Sequence, residues 1–214
     1  MNFLDFIAGN YIDIQLSLLR HIELVGISVL IGMMIAIPVG IFLSRHKRMS
    51  GPVLAVAGTI QTIPGLVMLG FALILFGIGR LPALVVLSLY AILPILHNTF
   101  TGITQVDQSY IEAGRGIGMT SRQILYKVEL PLAMSSIISG IRISTVYIVS
   151  WSTLAGLIGA GGLGDLIWTG LSSYNSNYIL AGAVPSAILA FAFSGLIGLL
   201  QRMLMPRGLR GVRV

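Results

Sequence analysis

Charge is what this chain has least of. Only 9% of its 214 residues are Asp, Glu, Lys or Arg, against 56% hydrophobic, whereas a soluble domain carries about 25% charged residues. A water-facing surface cannot be assembled from that supply. Cysteine is absent, which removes disulfide frameworks, thiolate metal sites and cysteine nucleophiles together. No G-x-x-x-x-G-K-[ST] phosphate loop occurs, so the chain lacks that route to ATP hydrolysis. Serines 135, 136, 139, 144 and 150 have no G-x-S-x-G elbow around them, which argues against an intramembrane hydrolase. His21, His46 and His97 share no spacing that would place two on one helix face as metal ligands, and are read as packing or interface residues. Asp5 and Asp13 precede the first cation, Arg20, so the basic start of a signal peptide is missing and the mature chain is expected to be the whole chain.

What remains is apolar length. Five runs reach the roughly 20 residues that a helix needs to cross a bilayer: 24–43, 52–76, 81–103, 143–158 extended backwards through 135–140, and 179–200. None alternates with period two as a barrel strand would, so the expectation is an all-α, polytopic membrane protein with five transmembrane helices in one domain. Residues 1–20 mix apolar side chains with acids and glycine, too broken to span and suited to an outer interfacial segment.

The net charge of +6 is distributed in short clusters between the runs, a pattern of membrane topology rather than of nucleic-acid binding. Arg45, Lys47 and Arg48 follow the first run, Arg115, Arg122 and Lys127 the third, and Arg202, Arg207, Arg210 and Arg213 close the chain. The positive-inside rule then puts the N-terminus outside, with the 105–131 loop and the basic 202–214 tail in the cytoplasm and the 159–178 loop outside. Trp168, Tyr174 and Tyr178 fall where the fifth run enters the membrane, as an aromatic belt does.

Three features bear on function. Gln61, Thr62, Pro64 and Gly65 interrupt the second run; ordinary helix packing ranks first as their explanation, and a translocation path or hinge, to which Tyr147 and Trp151 of the fourth run would contribute, ranks second. Arg142 lies inside the fourth span and is expected to pair with Glu112 or Glu129, tying that span to the loop. The loop itself reads as two short helices, started by capping boxes at Ser109 with Glu112 and at Thr120 with Gln123. Gly116 and Gly118 should turn the chain between them, and Pro131 should stop or kink the second near Leu130. A helix-turn-helix held against a membrane with three cations is a poor candidate for DNA.

The same loop resembles the cytoplasmic signature of ATP-binding-cassette (ABC) importer permeases, which runs Glu-Ala-Ala, three residues, Gly, nine residues, Ile, any residue, Leu-Pro. Here Glu112, Ala113, Gly114, Arg115, Gly118, Val128, Leu130 and Pro131 occupy that pattern, with Gly114 for the second alanine and Val128 for isoleucine. The stretches 61–64, 154–164 and 179–183 are similar to the osmoprotectant branch, although the glycine stretch is similar to methionine importer permeases too. The resemblance implies a type I importer permease fold and carriage of glycine betaine, carnitine or choline, with methionine or another amino acid as the alternative. An ATP-independent channel or membrane scaffold is the alternative from another class. It implies no enzyme activity and no cofactor in this chain, ATP and Mg being used by separate ATPase subunits. The remaining partners would be a second permease copy or paralogue and a substrate-binding protein that carries the high-affinity aromatic cage. Gly159, Gly161 and Gly164 spell G-x-G-x-x-G, but no strand precedes them. In this family Gly161, Gly162, Gly164 and Asp165 would instead form an outer gate or dock the binding protein, with Trp168 and Tyr174 nearby.

Overall fold

The computed structural model describes residues 2–204. Nine α-helices make up almost all of them: α1 (Phe3–Arg45), α2 (Lys47–Thr62), α3 (Gly65–Phe76), α4 (Arg80–Thr104), α5 (Gln108–Gly116), α6 (Ser121–Ile124), α7 (Leu130–Ala155), α8 (Leu163–Ser172) and α9 (Ser176–Leu204). Of these α1, α4, α7 (with the turns at its two ends) and α9 are each long and apolar enough to cross a membrane, and the α2–α3 pair, bent by 92°, makes a fifth if it is taken as one broken span. The basic residues 207, 210 and 213 of the expected tail lie outside the described residues.

The first helix is longer than its hydrophobic run. Its 43 residues rise about 65 Å, twice the bilayer core, because helical hydrogen bonding continues into the mixed sequence of residues 3–20. That segment is therefore helix continuous with the first span. Asn10 interrupts it with non-helical angles (φ −121°, ψ 18°) and donates through Nδ2 to the Phe6 carbonyl at 2.9 Å. Beyond that bend Phe6 packs edge-on against Tyr178 at the start of α9, ring centroids 4.7 Å apart.

Helices α1, α4 and α7 form the core, where Leu24, Val25, Val29, Leu87, Ala91 and Ile148 are buried together. Small residues set the spacing. Gly32, Ala36 and Gly40 recur every four residues on α1; a Cβ added to Gly32 would stand 2.8 Å from that of Ala91, and one on Gly40 would stand 2.8 Å from Thr99, both on α4. Gly140 of α7 likewise approaches the Pro94 carbonyl of α4. In lipid, where apolar burial does not distinguish neighbour from solvent, such backbone proximity is a main source of helix–helix attraction.

Two expectations are revised. The second span is not one helix: α2 and α3 meet at 92° across Ile63 and Pro64, because proline removes the N–H and crowds the carbonyl that would continue α2. Conversely, Pro131 does not stop the helix near Leu130. A π-helical turn, Leu125–Glu129, joins α6 to α7, and its wider coil accommodates the ring so that the chain stays helical from Ser121 into the fourth span.

Ion pairs mark the two ends of the bundle. Arg45 meets Glu129 at one end, and Arg80 meets Glu23 at 2.7 Å at the other. The end that gathers Arg45 also carries Lys47, Arg48 and the α5–α6 loop.

Candidate coupling and translocation sites

Helix α5 starts two residues earlier than the Ser109–Glu112 capping box predicts. Asp107 is its N-cap, accepting a hydrogen bond from the Ser109 amide at 2.9 Å, and that bond with the Ser109 side chain holds the Asp107 carboxyl below its ordinary value. The Asp107 carboxylate, capping the N2 amide, takes the N-cap position that the Ser109 hydroxyl was expected to hold. The second box forms as expected: the Thr120 hydroxyl accepts from the Gln123 amide, and the Gln123 side chain accepts from the Thr120 amide at 2.8 Å.

Between the two helices Gly118 adopts φ +81°. Its N–H donates to the Arg115 carbonyl and that of Met119 to the Gly114 carbonyl, at 2.9 and 3.0 Å, the paired bonds of a Schellman closure. Nothing stands within 4 Å of a Cβ built on Gly118, so backbone angle rather than space demands glycine there. Gly114 is buried with ordinary contact distance, 3.4 Å, between an added Cβ and Ile124. The alanine of the family pattern would fit.

Glu112, Ala113 and Arg115 face outward, as do Tyr110, Tyr126 and Ile117, the last 76% exposed. The three large apolar side chains were missed by the motif reading, which fixes spacing but not facing. Val128 and Leu130 are half-buried beneath them.

Glu129 is buried and receives both terminal nitrogens of Arg45, Nη1 to Oε1 at 3.1 Å and Nη2 to Oε2. The bond between loop and span is thus made by Arg45 of the first span. The expected partnership of Arg142 with Glu112 or Glu129 is corrected: Arg142 donates from Nε to the Ser194 hydroxyl of α9 at 2.8 Å. The π-helical turn places Glu129 inward towards α1, whereas Arg142, more than three helical turns further on, faces α9.

At the break in the second span, three of the six candidates converge. Tyr90 of α4 donates its hydroxyl to the Ile63 carbonyl, Gln61 donates to the Tyr90 carbonyl at 3.4 Å, and Trp151 stacks on Tyr90 with centroids 5.1 Å apart. A Cβ on Gly65 would fall 1.6 Å from the Trp151 ring, so the indole occupies the space that a side chain would need. Thr62 and Pro64 lie on the exposed side of the break. Tyr147 is elsewhere, in a cleft with Arg142. Tyr90 was not anticipated, though a signal existed: a hydroxyl inside an apolar run needs an acceptor, and a proline break frees carbonyls.

At the end of the bundle opposite the loop Gly159, Gly161 and Gly162 take φ values of +73°, +85° and +91°, wrapping the chain over Arg20 and His21 of α1. A Cβ on Gly162 would meet the His21 ring at 3.1 Å, and one on Gly164 would stand 2.2 Å from the Thr153 carbonyl. His21 itself is buried, with Nε2 3.1 Å from the Val149 carbonyl of α7. Gly161, Gly162 and Gly164 are buried, and they pack the adjoining ends of α1, α7 and α8 together. Asp165 is half-buried beside them; burial pushes its carboxyl up, against the opposing pull of the Arg20 charge and the Gly161 amide. Trp168 donates to the Thr153 carbonyl at 3.2 Å, and Tyr174 stands 96% exposed.

Comparison with known proteins agrees with this architecture. The family described as binding-protein-dependent transport system inner membrane component matches residues 28–209. The choline transport system permease protein OpuBB of Bacillus subtilis (strain 168) is 41% identical, covering 99% of this chain and 98% of that one. The carnitine transport permease protein OpuCB of Listeria monocytogenes is 42% identical over 97% of this chain and 95% of that one. Among solved structures, an inward-facing MetNI methionine ABC transporter superposes with a TM-score of 0.79 at 24% identity, covering 89% of this chain and 95% of that one. The chain therefore belongs to the binding-protein-dependent transport system inner membrane components, as a multi-pass protein with the type I ABC importer permease fold.

Proposed function

We propose that this chain is the permease subunit of an ABC importer that carries a quaternary ammonium osmoprotectant, glycine betaine, carnitine or choline, into the cell. The observation that carries the reading is similarity of about 40% over nearly the whole chain to permeases named for choline and carnitine transport. A separate ATPase, using ATP and Mg, docks on the outward surface of α5 and α6, where Glu112, Ala113 and Arg115 stand beside exposed Tyr110, Ile117 and Tyr126. Gly118 keeps the two helices of that surface in register, and the Arg45–Glu129 bond transmits their movement to α1 and α7. ATP acts as a ligand that prefers one of two arrangements of the assembly.

A second permease copy or paralogue completes the path, and a binding protein delivers cargo from outside. The N-terminus lies outside and the loop lies in the cytoplasm, in keeping with the cations gathered at that end. The break clasped by Tyr90 and Trp151 is the hinge of the path.

The test is uptake by proteoliposomes holding the permease, its ATPase and its binding protein. ATP-dependent accumulation of glycine betaine, carnitine or choline is expected. Accumulation of methionine with none of the three would replace the cargo, and flux without ATP would replace the transporter class.

A further inference from the structure

Arg142 lies near the middle of α7, about 18 Å along the axis from Leu130, and its side chain is exposed in the isolated chain. An arginine at that depth is costly against hydrocarbon and belongs beside water or a polar partner. Among the described residues it finds no carboxylate; its Nε is taken by Ser194, and its two terminal nitrogens have no acceptor. Nη1 stands towards Gly198 of α9, in a hollow that Arg202 also lines, and the Arg142 side chain also borders a cleft of about 450 Å³ lined by Ser139, Ile143, Val146, Tyr147 and Ser194. That volume is typical of small-molecule sites. The adjoining hollow shares Arg142 and Ser194 and extends towards Gln201, whose side-chain amide donates to the Ser135 carbonyl and the Ser139 hydroxyl.

Two chemistries therefore meet in one cleft: a guanidinium with unfilled donors and an aromatic ring. Tyr147 is 52% exposed and stands five residues after Arg142, about 7.5 Å along the axis. A guanidinium receives a carboxylate at hydrogen-bond distance, and a ring attracts a cation within about 6 Å of its centroid. A molecule bearing a carboxylate and a quaternary ammonium a few bonds apart bridges such a pair. Choline has the ammonium but no carboxylate, and meets the Arg142 charge as a repulsion.

We propose that the α7–α9 cleft is a substrate subsite within the membrane, Arg142 receiving the carboxylate and Tyr147 the quaternary ammonium, which favours zwitterionic osmolytes over choline. This rests on the osmoprotectant reading above. The permease would then add selectivity of its own to that of the binding protein. An unmatched charge in a site built for its opposite discriminates by an order of magnitude or more.

The experiment compares uptake of radiolabelled glycine betaine, carnitine and choline by the full complex in proteoliposomes, for wild type, Arg142→Gln, Arg142→Lys, Tyr147→Leu and Tyr147→Phe at matched levels of permease and retained ATPase. In Arg142→Gln the ratio of glycine betaine to choline uptake should fall at least tenfold, and Arg142→Lys should restore it to within about threefold. Tyr147→Leu should lower uptake of all three, with Tyr147→Phe close to wild type. If wild type carries only the zwitterions, loss in Arg142→Gln with recovery in Arg142→Lys supports the subsite. Where the wild type also carries choline, equal loss for all three substrates assigns Arg142 to packing and overturns the subsite; in either case, no loss or failure of lysine to recover uptake overturns it. A wild type that carries choline alone also overturns the subsite while leaving the osmoprotectant reading intact. A wild type that carries none of the three removes that reading itself.

Discussion

The loop end and the opposite, glycine-packed end of this bundle are fastened by different chemistry. At the loop end a single buried carboxylate, Glu129, grips Arg45 across 84 residues of sequence, and around it the loop offers exposed side chains. At the glycine-packed end contact is made by close-set backbone: Gly164 on the Thr153 carbonyl, Gly162 on His21, and the Gly79 amide donating to the Ile158 carbonyl at 3.0 Å. The ion pair there, Arg80 with Glu23, is about half exposed on both sides and contributes little. A charge pair has two discrete states, made and broken, whereas interlocked backbone has one. On the proposed coupling role, the loop end would pass on a displacement and the glycine-packed end would resist it.

Substitutions can break that contrast, beginning where the largest effect is expected. Gly164→Ala would drive a methyl into a carbonyl oxygen 2.2 Å away, and overpacking of this kind costs about 3 kcal/mol. Loss of folded permease from membranes, measured by detergent thermal stability, is the expected result; normal stability would mean that the glycine-packed end yields. At the loop end Arg45→Ala strands the buried Glu129 carboxylate, 3% exposed, whereas Glu129→Ala leaves Arg45, 39% exposed, within reach of water. The first should cost about 2–3 kcal/mol and the second less. The double exchange Arg45→Glu with Glu129→Arg should recover part of the lost uptake, and equal damage from both alanine variants would contradict the asymmetry.

Smaller effects sharpen the comparison within the loop. Gly118→Val opposes a φ of +81° at a cost of about 1–2 kcal/mol, with open space around the new side chain. The spans should still insert while ATPase co-purification and uptake fall, and retention of both would detach the loop from coupling. Gly114→Ala is the mildest. It removes a helix-interior glycine and should stabilise α5 by about 0.5–1 kcal/mol, read as slower amide exchange across Gln108–Gly116 with uptake unchanged.

Much of this was legible in the sequence because it depends on length and spacing. Apolar runs predicted the crossings, since a bilayer imposes a minimum length, and Thr120 with Gln123 predicted its cap because both partners lie within one turn. Gly118 was legible for the same local reason. Partner choice was not. Whether Glu129 meets Arg45 or Arg142 depends on which way a helix faces after a π-helical turn, and hydropathy carries no record of that turn. Nor could spacing tell that Asp107 would take the cap position in place of Ser109, or that Pro131 would be absorbed where Pro64 breaks the chain. The two prolines differ in surroundings: Pro64 adjoins a glycine buried under Trp151, while Pro131 follows a segment that widens its coil.

The right angle between α2 and α3 also bears on the thickness of the bilayer around the protein. Sixteen residues of α2 and twelve of α3 rise about 24 and 18 Å, so neither arm alone covers a hydrocarbon core of about 30 Å. Phe71, Ile74 and Leu75 of the second arm are exposed, and lipid chains meeting a transverse helix must shorten or tilt beside it. Mismatch of this kind costs a fraction of a kcal/mol per Å. Longer acyl chains would therefore bear on the Ile63–Pro64 joint, which Tyr90 holds through the Ile63 carbonyl.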